Sequence, residues 1–250
     1  MKALITGASS GIGRDISIIL SNMGYDLILV ARRRDRLEEL KGILPTCVNI
    51  ICMDISGADA CFELYERVRE ESVDILVNNA GFGVFGEFEH TDLETELRMI
   101  DTNIKAVHIL TKLFLKDFAK KDSGYILNVA SSAAFLPGPL LAAYYATKAY
   151  VLRLTEAIYE ELRRKGSHVY VGALCPGPVD TEFNKTANVK FGINGLSSRY
   201  VAEYAVRQMF RRQLVIVPGA VMKLARFFQK FIPEKLLLKI TYNIQKRKNG

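Results

Sequence analysis

The chain has 250 residues, 49% of them hydrophobic and 24% charged. That is enough apolar mass for one large domain with its own core, and no uncharged apolar run reaches the length of a bilayer, which excludes a spanning helix. The net charge of +7 is uneven: from Val221 onward there are eight Lys and Arg and one acid, while the first 220 residues carry 26 of each sign.

In chain order, "KALIT" is a short apolar run that ends in a glycine-rich turn. "IGRDISIILSNMG" follows, with Ile12, Ile16, Ile19 and Leu20 at helical spacing and Gly24 as the stop. "DLILVA" predicts a second strand, "RDRLEELKGIL" a charged amphipathic helix, and "VNIICMD" a third strand. A helix is expected from about Gly57 to Glu70, then a strand in "VDILVNNAG", helices over roughly 91–120, and a strand in "GYILNVASS". A long helix is expected from about Leu140 to Arg164, a sixth strand in "HVYVGALCPG", a helix near 198–212, and a seventh strand in "LVIVP". The strands are apolar on successive residues, so they are expected to be buried on both faces. That pattern predicts a Rossmann-like, doubly wound parallel sheet of about seven strands, order 3-2-1-4-5-6-7, with helices on both faces.

Three stretches carry chemistry. "TGASSGIG", Thr6 to Gly13, follows the first strand and opens the first helix, where glycines let the backbone approach a pyrophosphate and free N–H groups face it. Its spacing, without a following Gly-Lys-Ser/Thr, excludes a P-loop. The second strand ends "LVARRR", with Ala31 and Arg32 where dinucleotide folds that hold a ribose 2′-OH carry an acid; an arginine there suits a 2′-phosphate. In "AAYYATKAY", Tyr144 and Lys148 stand four apart, so a helix places them on one face, and an ammonium beside the phenol is expected to lower its pKa. Four cysteines lack a CxxC pair and read as buried thiols in a reducing cytosol; the three histidines are scattered, and no metal site is expected. The opening "MKALITGASS" has no secretory pattern.

Together the glycine turn, "NNAG" at 78–81 and Tyr-x-x-x-Lys resemble the short-chain dehydrogenase/reductase family, from residue 3 to about 218. The resemblance is to its NADP-preferring members, similar to ketoacyl reductases and hydroxysteroid dehydrogenases. It implies four catalytic residues: Asn103, Ser131 (13 residues before Tyr144, with Ser132 as its rival), Tyr144 as proton donor, and Lys148. It implies NADP(H) as cofactor. Gly7, Ser9, Ser10, Gly11, Ile12 and Gly13 would hold it at the turn, with Arg32 and Arg33 after the second strand and Asp54 and Ile55 after the third. Asn79, Ala80 and Gly81 would serve after the fourth strand, Tyr144 and Lys148 on the long helix, and Pro176, Gly177, Val179 and Thr181 after the sixth. Asn103 is expected to hold a water that connects Lys148 to solvent. Tyr145 is expected to be structural or substrate-facing.

The implied reaction is hydride transfer between the nicotinamide and a carbonyl or secondary alcohol. Phe135, Leu136, Leu140, Leu141, Phe183 and Phe191 are expected near the pocket and favour a lipophilic ketone or aldehyde. A catalytically silent NADP-binding scaffold and a membrane- or carrier-binding protein are the competing readings. The expected organisation is one Rossmann-type catalytic domain over 1–218 and a basic amphipathic helical extension over 219–250, split by Pro233. The extension places Lys223, Arg226 and Lys230 on one face and Leu224, Phe227, Phe228 and Phe231 on another; it fits a membrane surface, a pocket cover or a subunit interface. A cytoplasmic homodimer or homotetramer, peripheral at a membrane through the tail and without a nucleic-acid partner, completes the expectation.

Overall fold

The computed structural model describes residues 1–183 and 195–246. Seven strands form one parallel sheet in the order β3-β2-β1-β4-β5-β6-β9. They are β1 (Lys2–Thr6), β2 (Asp26–Ala31), β3 (Val48–Cys52), β4 (Ile75–Asn78), β5 (Tyr125–Val129), β6 (Tyr170–Leu174) and β9 (Val215–Ile216). This is the predicted topology, with "LVIVP" supplying the seventh place. Two further strands, β7 (Val179–Asp180) and β8 (Leu196–Ser197), pair with each other in a separate two-stranded sheet. Two residues per strand are too few to leave a periodic signal in the sequence.

The alternation of strand side chains explains why the strands read as continuously apolar. Ala3 and Ile5 of β1 and Leu27 and Leu29 of β2 point to one face, where they meet Ile16 and Leu20 of α1 (Gly11–Asn22), Leu37 and Leu40 of α2 (Arg34–Lys41), and Val201, Ala205 and Met209 of α7 (Ser198–Phe210). Leu4, Ile28 and Val30 point to the other face. There they meet Leu64 and Val68 of α3 (Ala58–Val68), Leu110, Phe114 and Phe118 of α5 (Val107–Lys121), and Leu162 of α6 (Ala142–Arg164). Each face therefore has its own apolar layer, as helices on both sides of a parallel sheet require. The edge strand β3 departs from the pattern, with two of its five residues exposed. The thiols divide accordingly: Cys61 and Cys175 are buried, whereas Cys47 and Cys52, before and at the end of β3, are exposed, contrary to the expectation of four buried thiols.

The helical stretch expected over 91–120 is three pieces: α4 (Leu93–Ile100), a π-helical turn over Asp101–Ala106, and α5. The Asp92 side chain caps α4 by accepting from the Thr95 N–H at 2.8 Å. The π turn inserts an extra residue and carries Asn103 into the interior. After β9 the chain forms α8 (Ala220–Phe228), a 3-10 turn over Gln229–Phe231, and α9 (Glu234–Lys246), with Pro233 at the break. Among the described residues no helix is long and apolar enough to cross a membrane.

Candidate active site

β1 is hydrogen-bonded to β2 on one side and β4 on the other, so the strand order reverses there and a crevice opens at the carboxyl ends of the strands. A cleft of about 430 Å³ lies in that position. At its floor, Gly7 has φ +66° and Gly11 φ +54°, values that glycine adopts without the cost borne by a residue with a Cβ. Side chains are excluded by packing too: a Cβ on Gly7 would lie 2.8 Å from the Ala80 Cα, and one on Gly13 would lie 2.6 Å from the Gly7 carbonyl oxygen. Asn79 locks this contact, since its Nδ2 donates to the carbonyls of Thr6 (3.0 Å) and Gly7 (3.1 Å). Ser10, at the N-cap of α1, makes no side-chain capping bond, and the first turn of α1 holds no acid. Its N–H groups and positive dipole end are therefore available to an anion.

Of the expected cofactor residues, Gly7, Ser9, Ser10, Gly11 and Ile12 line the cleft, as do Arg32, Arg33, Asp54 and Ile55. So do Asn79, Ala80 and Gly81, Tyr144 and Lys148, and Pro176, Gly177, Val179 and Thr181. Gly13 does not; it lets the start of α1 pack against the Gly7 carbonyl and the Asn79 side chain. The two arginines differ. Arg32 faces Asp54 at 3.6 Å, and Asp54 also accepts from the Ser56 N–H at 3.0 Å. Partial burial opposes ionisation of Asp54, but Ser56 and the Arg32 charge outweigh it and hold the carboxyl below its usual value. Arg33 reaches over the turn instead: its Nη2 donates to Ser9 Oγ at 3.2 Å, and its Nη1 lies 2.8 Å from the Glu182 carboxylate. The sequence gives no signal for Glu182, because the contact joins the N-cap of α2 to the segment after β7.

At the other end of the cleft, Ser131, Tyr144 and Lys148 come together, Ser131 from the end of β5 and the other two from one face of α6. Lys148 is 5% exposed, and its Nζ donates to the Val129 carbonyl at 2.9 Å and lies 5.9 Å from the centre of the Tyr144 ring. Burial lowers its pKa to about 8. Burial pushes the Tyr144 phenol well above its ordinary value, and the interaction with Ser131 offsets only part of that. The expected depression of the phenol by Lys148 does not appear: burial dominates, and the group that opposes it is Ser131. Ser131 rather than Ser132 has its side chain toward the phenol. Its Oγ also accepts from the Ala133 N–H at 3.1 Å, while the Ser132 backbone N–H donates to the Pro176 carbonyl at 2.8 Å.

Asn103 is fully buried behind the cleft and does not line it. Its Oδ1 accepts from the Phe82 N–H at 3.1 Å, and its Nδ2 donates to the Phe82 carbonyl (2.9 Å) and to Thr147 Oγ1 (3.1 Å). It thus ties the π turn to the segment after β4 and to α6. A Cβ on Gly81 would stand 2.8 Å from Asn103 Oδ1 and 3.4 Å from Lys148 Nζ, so a side chain there would come between the two polar groups.

The wall beside Tyr144 is apolar. Leu141 and Phe183 line the cleft as expected, together with Phe82 and Tyr145, and the Phe183 ring centre is 5.4 Å from that of Tyr144. Phe135 and Leu136 stand elsewhere: Phe135 packs under Arg226 of α8, and Leu136 lines a shallow groove shared with Leu238 of α9. Leu140, at φ +65°, gives its carbonyl to the Gly86 N–H; Phe191 lies outside the described residues. The Tyr145 hydroxyl accepts from Gln245 Nε2 of α9, a link across 100 positions that no local pattern announces. One exposed trio, Glu87, Glu89 and His90, has ligand-type atoms within 4.8 Å of one another; none of the three lines the cleft.

A family model described as short chain dehydrogenase matches residues 1–192. An uncharacterized oxidoreductase of Staphylococcus epidermidis is 35% identical over 192 residues, 76% of this chain and 82% of that protein. The structure of a short-chain dehydrogenase from Sphingobium yanoikuyae in complex with NADPH superposes with a TM-score of 0.81 at 29% identity, covering 93% of this chain and 96% of that one. That of the bulky-bulky ketone specific alcohol dehydrogenase from Comamonas testosteroni gives 0.79 at 29% identity, covering 92% and 91%.

Proposed function

The chain belongs to the short-chain dehydrogenase family, and from that premise we propose that it is an NADP(H)-dependent oxidoreductase that interconverts a bulky, lipophilic ketone or aldehyde and its alcohol. The observation that carries this reading is one cleft with Arg32 and Arg33 at one end, the bare α1 N-terminus in its floor, and Ser131, Tyr144 and Lys148 at the other end. The donors present fit a phosphorylated dinucleotide: two guanidiniums and the Ser9 hydroxyl for a 2′-phosphate, and helix N–H groups for the pyrophosphate. When bound, the nicotinamide supplies or accepts the hydride.

The protein's part is to place and move protons. Ser131 directs its hydroxyl to the carbonyl oxygen and stabilises charge as it develops there. Tyr144, kept neutral at physiological pH by burial, donates its proton to that oxygen. Lys148, anchored on the Val129 carbonyl, supplies positive charge beside the phenol as long as it stays protonated, up to about pH 8. Asn103 acts as a positioning residue that fixes Phe82 and α6 relative to each other. The apolar wall of Leu141, Phe82 and Phe183 supports a lipophilic substrate, and so does the bulky-bulky ketone specificity of the Comamonas enzyme.

The test is the loss of NADPH absorbance with a panel of bulky ketones, run in parallel with NADH. Ketone-dependent oxidation of NADPH in preference to NADH is expected. Absence of turnover across aromatic, alicyclic and long-chain ketones, with NADPH still bound, would favour the silent scaffold.

A further inference from the structure

The two C-terminal helices are built the opposite way round from the rest of the molecule. Along α8 and its 3-10 extension, the row turned toward the body is Met222, Arg226 and Gln229; along α9 it is Leu237, Thr241 and Gln245. Four of those six side chains are polar. Two of them have specific partners in the body: the Arg226 guanidinium sits 4.7 Å from the centre of the Phe135 ring, and Gln245 donates to the Tyr145 hydroxyl. The opposite face is apolar and open. Phe231 is 70% exposed, Phe228 58% and Leu224 56%, and α9 adds exposed Leu236 and Ile244. Phe227 stacks edge-on with both Phe228 and Phe231 at 5.4 Å between ring centres, so the aromatic groups form one continuous patch.

An amphipathic helix docked only to complete a fold buries its apolar stripe. Here the polar row is docked, and among the described residues neither helix lines the cleft; Gln245 reaches it only through Tyr145. The phenylalanines are therefore free of the covering role open to them on sequence grounds. Their surroundings are cationic: Lys230, Lys235, Lys239 and Lys246 are exposed on the same two helices, and Glu234 is the only acid there among the described residues. A second copy of the chain is a poor match, because a two-fold contact presents the same patch twice and sets one set of lysines against the other. An anionic lipid surface satisfies both halves, with acyl chains for the phenylalanines and phosphates for the lysines.

We infer that α8 and α9 form a docking face for an anionic membrane surface, with Phe227, Phe228 and Phe231 entering the headgroup boundary and the lysines at phosphate level. These helices lie on such a membrane, since among the described residues no helix is long and apolar enough to cross it.

The experiment is co-sedimentation of the full chain with vesicles of phosphatidylcholine alone or with phosphatidylglycerol, at low and raised salt. The variants are Phe227→Ser with Phe231→Ser, and Lys230→Glu with Lys235→Glu. All four positions are exposed and outside the cleft, so NADPH titration should report the same folded cleft in every variant. The wild type is expected to sediment with the phosphatidylglycerol vesicles and to be released by salt. Each double variant is expected to lose at least tenfold in partitioning. Three results would overturn the inference: no sedimentation of the wild type, equal sedimentation of wild type and variants, or a concentration-dependent dimer that the serine variant converts to monomer.

Discussion

The sheet body and the C-terminal helices use the same residue types to opposite ends. In the body, Leu4 is wholly buried and sits among α3, α5 and β4 side chains. In the tail, Phe228 is a larger apolar group, yet more than half of it faces outward. Polar groups reverse as well: the body turns most of its charge to solvent, whereas the tail directs Arg226, Thr241 and Gln245 inward. Burial energy holds the body together, while the tail is held by a few directed contacts and keeps its apolar area in reserve. Position along the sequence therefore does not set what a hydrophobic side chain does; what its helix docks with does.

The largest effect should come from the body's buried charge. Lys148→Met is expected to lower turnover by about two to three decades, in the range for losing a group that assists proton transfer. In the wild type, reduction is expected to decline as pH rises through about 8, where Lys148 loses its proton. Its effect on stability runs the other way. The folded pKa of about 8 lies below the ordinary 10.5, so between those values the unfolded chain holds more protons and stability rises with pH. Below pH 8 the cost of burying the charge stands in full, and Lys148→Met should melt no lower than wild type. Activity profiles and melting curves across that range check both signs.

Next comes a direct contrast in packing. Leu4→Ala removes a core contact and should cost about 2–5 kcal/mol in denaturant unfolding. Cofactor choice is the following step down. NADPH is expected to bind at least about tenfold tighter than NADH, about 1.4 kcal/mol. Arg33→Ala should erase more of that gap than Arg32→Ala, since Arg33 alone reaches Ser9; fluorescence titration with both nucleotides ranks them. The smallest effect belongs to the tail: Phe228→Ser should change unfolding free energy by no more than about 0.5 kcal/mol, as for other surface substitutions. A cost near that of Leu4→Ala would erase the contrast between the two regions.

The sequence was legible where one local rule decides. Runs such as "DLILVA" read as two-face-buried strands because both faces are covered, and the glycine turn, "NNAG" and Tyr-x-x-x-Lys all fall at strand ends or on one helix face. What stayed hidden depends on contacts between distant segments. The helical period over 91–120 does not show the π turn that carries Asn103 inward, and nothing near Arg33 names Glu182 as its partner. The amphipathic pattern of 221–231 revealed two faces but not which one docks, because that choice is made by Phe135, far away in sequence. The balance at Tyr144 was likewise out of reach: helical spacing puts Lys148 beside it, but only the depth of burial decides whether the phenol rises or falls.

The most direct test of the central claim is the ketone-dependent oxidation of NADPH by wild type, Tyr144→Phe and Tyr145→Phe, each paired with an NADPH titration. The expected result is turnover by the wild type, a loss of about a thousandfold in Tyr144→Phe, a mild change in Tyr145→Phe, and nearly equal NADPH affinity in all three. Turnover by Tyr144→Phe within tenfold of wild type would contradict the assignment of the phenol as the proton donor.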